Sequence, residues 1–456
     1  MGKLFGTDGV RGVANKDPMT PQSVMRLGFA AGVELRSQSC SPATCIIGRD
    51  TRISGEMLEG ALLAGLTSSG VNVLRAGVLP TPAVSQLVRE FGAAFGAVIS
   101  ASHNPFDDNG VKFFGGDGQK LPDSVELSIE KTFERLSEQE LTKVQSDLTG
   151  PRMGNGRALP EAIDRYCALM KRAFGEGKNL AGMKIVVDCA NGASHLTTPR
   201  VLTSLGAEVV AFNDQPDGTN INAGCGSLHF NAVQEAVRRE RAHVGISHDG
   251  DADRVILADE NGQLVDGDFV LGIVGCHLHA KGALPHDAVV GTVMSNLGFL
   301  VAMRRLGIGV FRAPVGDRYV KELMDKEGVV LGGEQSGHII FSRHSPTGDG
   351  LLTALQVLRV MVDEGRPLSA LHSFLTRFPQ VLINVRVREK TSLDSISGLK
   401  NAISEVEKSL GDEGRVFVRY SGTEPLLRVM VEGASEKDVQ THAQFLAQIV
   451  RNQIGE

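Results

Sequence analysis

Four short polar loops carry the residue types that could do chemistry, and the first three each follow a run of apolar, β-branched residues. The first is Ser100-Ala101-Ser102-His103-Asn104-Pro105. A serine at the end of a buried strand, where the chain turns sharply, presents its hydroxyl as a nucleophile. Ser100 and Ser102 are two apart, so a strand would point both to one face. Ser102 lies in the turn and is the candidate, whereas Ser100 ends the strand and supports the loop. Asn104-Pro105 is a strong turn pair, and Asp107-Asp108-Asn109-Gly110 makes a second turn that brings Lys112 back.

The second loop is Asp249-Gly250-Asp251-Ala252-Asp253-Arg254. Three carboxylates at alternating positions are costly to hold together unless a cation neutralises them. Hard oxygen ligands favour Mg²⁺ or Ca²⁺ over zinc. Glu260 falls at the twelfth position from Asp249, as in a calcium EF-hand, but the sixth position is Arg254 rather than glycine. The flanks read as strands, so the EF-hand fails and a Mg²⁺ loop with an adjacent arginine remains.

The third loop, Gly332-Gly333-Glu334-Gln335-Ser336-Gly337-His338, sets a carboxylate and a hydroxyl between glycines, suited to sugar hydroxyls. The fourth runs Arg419-Tyr420-Ser421-Gly422-Thr423-Glu424-Pro425, with Arg428 beyond it. Two guanidinium groups, two hydroxyls and a glycine-opened backbone are what a phosphate needs. At the amino end, FGTDGVRG adds Arg11 in a glycine-rich turn. The dinucleotide fingerprint and the Walker loop are absent.

The elements that must hold these loops recur. A strand–helix–strand–strand unit is expected three times. The first has strand 43–48, helix 55–68, VNVLRAGV and GAVIS, which runs into the serine loop. The second has MKIVVD, a helix to Leu205, AEVVAF and HVGIS, which runs into the aspartate loop. The third has AVVGTVM, a helix to about Leu306, IGVFRAPV and GVVLG, which runs into the Glu334 loop. Gly70, Gly206 and Gly307 end the three helices. Such alternation predicts three similar α/β domains with mixed, mostly parallel sheets around a central cleft. From about 373 the pattern changes to a smaller C-terminal α+β domain. The boundaries read 1–150, 151–257, 258–372 and 373–456. The polar stretch 136–156 reads as a link, with a helix at 159–174.

Composition sets limits on partners. The chain has 456 residues, 42% hydrophobic and 22% charged, an ordinary soluble balance. Its formal net charge of −6 argues against nucleic acid or an anionic membrane as a partner. The six cysteines form no CxxC pair and read as free thiols of a reducing cytosol. No signal core or spanning run is present, so a cytoplasmic protein is expected.

These four loops, in this order, resemble the α-D-phosphohexomutase superfamily. ASHNP followed by NGVK, DGDADR, GEQSGH and SGTEP carry the likeness over essentially the whole chain. LFGTDGVRG, INAGCGSLH, VMSNLG and VGDRYV place it nearest the amino-sugar branch. The resemblance implies interconversion of glucosamine 6-phosphate and glucosamine 1-phosphate through a phosphoserine enzyme and a 1,6-bisphosphate. That reaction would supply UDP-N-acetylglucosamine and cell-wall precursor synthesis. Glucose or mannose phosphates are the alternative substrates. It implies that Ser102 carries the phosphate and binds one Mg²⁺ per subunit with Asp249, Asp251 and Asp253. Arg11, Lys112 and Arg254 would steady the phosphoryl group, and Glu334 and Ser336 would bind the sugar. Arg419, Ser421, Gly422, Thr423 and Arg428 would hold the other phosphate. A homodimer is implied as well. Ala252 replaces the glycine common in the metal loop. Asp317 stands where relatives often have histidine, which leaves the acid/base open, with His338 as candidate.

Overall fold

Three times along the chain two helices join three strands, and a fourth strand then returns antiparallel to the third. The computed structural model describes residues 4–6, 8–36, 43–136, 148–421 and 425–456. The first repeat comprises β2 (Thr44–Arg49), α2 (Gly55–Ser68), β3 (Asn72–Val78), α3 (Thr81–Phe91), β4 (Phe95–Ile99) and β5 (Asp108–Gly115). It is preceded by β1 (Val10–Val13) and α1 (Pro21–Arg36) and followed by α4 (Asp123–Arg135) and β6 (Gly156–Ala158). After α5 (Ala162–Phe174) come β7 (Lys184–Asp188), α6 (Thr198–Ser204), β8 (Glu208–Phe212), α7 (Asn231–Glu240), β9 (Val244–His248) and β10 (Val255–Asp259). Then β11 (Leu264–Val265) and α8 (Gly267–Ala280) lead to β12 (Ala288–Thr292), α9 (Leu297–Arg305), β13 (Gly309–Ala313), α10 (Asp317–Glu327), β14 (Leu331–Gly333) and β15 (Ile339–Phe341). Helices α11 (Gly350–Glu364) and α12 (Leu368–His372) close the series.

The three sheets share one order, β5-β4-β2-β3, β10-β9-β7-β8 and β15-β14-β12-β13. Strand one is parallel to strand three each time, β2 to β4, β7 to β9 and β12 to β14. The expected strand–helix–strand–strand unit therefore omits a helix. Successive parallel strands of one sheet require a crossover, and α3, α7 and α10 supply the one from the second strand to the third, on the far side of the first. Gly70, Gly206 and Gly307 take φ of +86°, +94° and +75°, the left-handed turn that suits glycine after a helix. On α2, Leu58, Leu62 and Leu66 recur every fourth residue and bury in one core with Cys45, Ile47 and Phe95. Of the expected link 136–156, residues 137–147 lie outside the described residues. The remainder returns to the first sheet, where β6 pairs with β3.

The polar loops occupy equivalent places: all three join the third strand to the antiparallel fourth. Among the described residues no helix is long and apolar enough to cross a membrane.

Residues 294–310 and 373–456 form a compact unit of their own. Its sheet, β16 (Gln380–Arg386), β17 (Gly414–Tyr420) and β18 (Leu426–Gly433), is antiparallel in the order β16-β18-β17. Helices α13 (Leu399–Leu410) and α14 (Glu436–Ile454) accompany it, as the α+β pattern predicts. Helix α9 belongs to this unit. Buried Glu432 accepts from Asn296 Nδ2 at 2.7 Å and from the Leu297 amide at 3.0 Å, and pairs with Arg415 at 2.7 Å. Arg415 also donates to the Ser295 carbonyl at 2.6 Å.

Candidate active site

Ser102 stands three residues beyond β4, with φ of +53° and 1% of its surface exposed. A non-glycine residue in the left-handed region costs about 1–2 kcal/mol and persists only where its surroundings impose it. Here they do. The Ser102 amide donates to Ser100 Oγ at 2.9 Å, and Ser100 Oγ donates to Asp50 at 2.6 Å. Fully buried Arg52 donates to the carbonyls of Ser102, Asn104, Pro105 and Asp108 while its Nε pairs with Asp50 at 2.9 Å. Asn222 adds donors to the Ser102 and Asn104 carbonyls at 2.9 and 3.1 Å. The sequence expectation that Ser100 supports the loop matches this geometry.

The turn delivers Ser102 Oγ to 2.6 Å from Asp249 Oδ2. Asp249, Asp251 and Asp253 are buried, and one carboxylate oxygen from each lies within 4.8 Å of the others. Burial, then the charges of Asp253 and Asp251, push the Asp249 carboxyl well above its ordinary range. Burial also acts to raise Asp251, but Lys112 and the Thr81 hydroxyl, at 2.9 and 2.7 Å, outweigh it and hold Asp251 low. Asp251 Oδ1 and Asp253 Oδ1 are buried without a hydrogen-bond partner. Clustered carboxylates that leave buried oxygens without a hydrogen bond fit a hard divalent cation, so these residues could hold a metal ion. Ala252 in this loop has φ of +56°, which explains why glycine suits the position.

Around this centre lies a cavity of about 630 Å³, lined in part by Asp8, Arg11, His103, Asp253, Arg254, Asp317, Glu334 and His338. Lys112 Nζ bridges Asp8 and Asp251, 2.9 Å from each. Burial alone would lower Lys112, yet Asp251 and Asp8 lift it above its ordinary value, so it stays charged. Arg11 and Lys120 also pair with Asp8, and Lys120 reaches Asp317 at 2.7 Å. His338 completes a closed ring of charge, with Nδ1 3.6 Å from Asp253 and Nε2 3.4 Å from Asp317. Burial acts to lower His338, but Asp253 and Asp317 leave it above its ordinary value. The Gly348 amide donates to that same Nε2 at 3.2 Å, which favours the neutral ring. One nitrogen thus faces a donor and an acceptor, a setting in which a proton can be held or released. Arg254 Nη1 lies 3.3 Å from His103 Nδ1, itself 3.4 Å from Ser102 Oγ.

Glu334 accepts from the Gly316 amide at 2.9 Å at the cavity edge. Ser336 is exposed at the tip of its turn and does not line the cavity. Gly337 shapes the turn. Its φ is +93°, and a Cβ there would lie 2.1 Å from the Val255 carbonyl. Gly337→Ala is expected to cost about 1–3 kcal/mol and to raise KM for the sugar more than it lowers kcat. Urea unfolding and steady-state kinetics would read both. An unchanged KM would remove the loop from substrate binding.

The fourth loop lies in the C-terminal unit. Arg419 and Arg428 are directly opposed across the β17–β18 hairpin. Lys390 donates to the Ser421 carbonyl at 2.7 Å. Gly422 and Thr423 lie outside the described residues.

Asp8, Lys120, His103, Thr81, Arg52 and Lys390 carried no assignment from the sequence. Arg52 lies in GRDTRISG at the end of β2, where the repeat places a loop, His103 in the serine loop and Asp8 in FGTDGVRG, whereas Lys120, Thr81 and Lys390 had no readable signal.

Comparison with known proteins agrees with this arrangement. Four domains of the phosphoglucomutase/phosphomannomutase family match in order, alpha/beta/alpha domains I, II and III at 2–140, 164–262 and 266–378, and the C-terminal domain at 382–449. The phosphoglucosamine mutase of Pelobacter propionicus is 49% identical, with 100% of each chain covered. That of Carboxydothermus hydrogenoformans is 52% identical over 96% of each. A crystal structure of a phosphoglucomutase/phosphomannomutase family protein from Burkholderia thailandensis superposes with a TM-score of 0.78 at 23% identity, covering 98% of this chain and 97% of the other.

Proposed function

The chain belongs to the phosphoglucomutase/phosphomannomutase family, and on that premise we propose that it interconverts glucosamine 6-phosphate and glucosamine 1-phosphate. The observation that carries the reading is the buried Ser102 hydroxyl, 2.6 Å from Asp249 in a three-aspartate cluster. Ser102 carries a phosphoryl group in the active form. That group passes to the C1 hydroxyl of the sugar phosphate: the bond from phosphorus to Oγ breaks, the bond to O1 forms, and the hydroxyl proton leaves. The bound 1,6-bisphosphate turns over, and Ser102 takes the phosphoryl group from O6, leaving the 1-phosphate.

Phosphoryl transfer asks the protein for placement and charge neutralisation. Arg11, Lys112 and Arg254 supply cationic charge, Glu334 orients sugar hydroxyls, and His338 with Asp317 offers a place for the proton. Asp249, Asp251 and Asp253 would hold Mg²⁺, which when bound neutralises charge at the phosphoryl oxygens. In the C-terminal unit Arg419, Ser421, Gly422, Thr423 and Arg428 hold the phosphate that is not reacting. We take the protein to be a cytoplasmic homodimer, with domains dividing near 150, 257 and 372.

The test is an assay of purified protein with glucosamine, glucose and mannose 6-phosphates. Preference for glucosamine 6-phosphate is expected, lost on treatment with a chelator and restored by Mg²⁺. Equal rates would overturn the amino-sugar assignment, and release of inorganic phosphate without isomerisation would overturn the mutase.

A further inference from the structure

One fully buried carboxylate, Asp349, has been given no role so far. Asp349 begins α11, where its Oδ1 caps the helix by accepting from the Leu352 amide at 3.0 Å. The Tyr166 hydroxyl of α5 meets Oδ1 and Oδ2 at 2.9 and 3.1 Å, and Gln86 Nε2 of α3 donates to Oδ2 at 3.0 Å. Each donor comes from a different family domain or the helix leading into one. Asp349 thereby joins the serine-loop domain, α5 and the third domain at a single group.

Its two neighbours face the site. The Gly348 amide donates to His338 Nε2 at 3.2 Å, and the Gly350 amide donates to the Ala252 carbonyl, inside the aspartate loop, at 3.0 Å. Neither glycine has room for a side chain. A Cβ on Gly348 would lie 2.3 Å from His338 Nε2, and one on Gly350 would lie 2.5 Å from the Arg254 carbonyl and 2.7 Å from His248 Nδ1. Three consecutive residues therefore touch His338, a buried junction of helices and the aspartate loop.

We propose that the Gly348-Asp349-Gly350 turn is the positioning element that sets the aspartate loop and His338 in register, with Asp349 as its anchor. The proposal rests on the mutase reading above for what the aspartate loop binds. An aspartate is required because the Leu352 amide and Gln86 Nε2, which can only donate, meet different carboxylate oxygens, so an asparagine would turn its own NH₂ group against one of them. Groups that orient metal-binding carboxylates commonly change metal affinity or activity by about tenfold or more when altered.

The experiment compares the full-length wild type with Asp349→Asn and Tyr166→Phe, the second losing one hydroxyl from a buried ring and keeping its packing. Mn²⁺ binding is titrated by electron paramagnetic resonance, and kcat and KM are measured at a temperature where circular dichroism shows each variant folded. Expected is a Kd for Mn²⁺ about tenfold weaker in Asp349→Asn and a smaller shift in Tyr166→Phe, with kcat falling and KM little changed. Lower melting temperatures with Kd and kcat within twofold of wild type would reduce the turn to a structural role and overturn the proposal. If Asp349→Asn does not fold, Tyr166→Phe alone decides between these outcomes. Failure of the wild type to bind Mn²⁺ or to isomerise the sugar phosphate would instead overturn the mutase reading.

Discussion

Ser102→Ala is expected to lower turnover of glucosamine 6-phosphate by about 10⁴-fold or more, the order of loss when a covalent nucleophile is removed. Intact mass should show one phosphoryl group fewer than the active wild type. Alanine carries the same left-handed backbone cost as serine, and the loop is held through its carbonyls by Arg52 and Asn222. The fold should therefore survive. Ser100→Ala is the informative companion. Its hydroxyl joins the Ser102 amide to Asp50, so its removal should loosen the turn and lower kcat by about tenfold. If the two variants ranked the other way, Ser100 would be the phosphoryl carrier.

The second large effect is expected at Arg52, which touches no reacting atom. Its guanidinium spends every nitrogen on the serine loop or on Asp50, and both side chains are wholly buried. Lysine brings one compact charge and cannot span carbonyls on opposite sides of a loop. Arg52→Lys should destabilise the protein by about 3–5 kcal/mol, the cost of disturbing a buried pair. In the molecules that remain folded, kcat should fall by about 100-fold through misplacement of Ser102. Chemical denaturation and kinetics at low temperature separate the two effects. A stability loss with kcat within twofold of wild type would show that the turn keeps its shape without the arginine.

The chemistry was legible where it was contiguous. The three aspartates alternate within one turn, Ser102 follows a β-branched strand, and both Arg419 and Arg428 flank one hairpin, so local order exposes them. The second helix of the first repeat was less visible for a physical reason, whereas α7 and α10 bury only a few residues each and carry polar faces. In α3, all residues from Thr81 to Val88 are buried, so no polar face marks a helical period. The same blindness hid Thr81, the partner of Asp251. Lys120 and Asp8 meet across 112 residues, and nothing in their neighbourhoods announces the pairing. Gly348-Asp349-Gly350 reads as an ordinary turn until the packing around it is seen. The acid/base question narrowed as well: Asp317, a departure from the usual histidine, stands beside His338 and Lys120.

Helix α9 has a consequence for how the polypeptide is made. Asn296 and Glu432 are 136 residues apart, and the ribosome emits α9 well before the sheet that receives it. Until β18 emerges, the Leu297 amide lacks the carboxylate that it meets in the finished protein, so the nascent third repeat must wait in an incomplete state. A genetic cut at residue 372 would separate α9 from its destination permanently. A stable stand-alone C-terminal fragment would need residues 294–310 grafted back by a linker, a requirement that contiguous domain boundaries do not disclose.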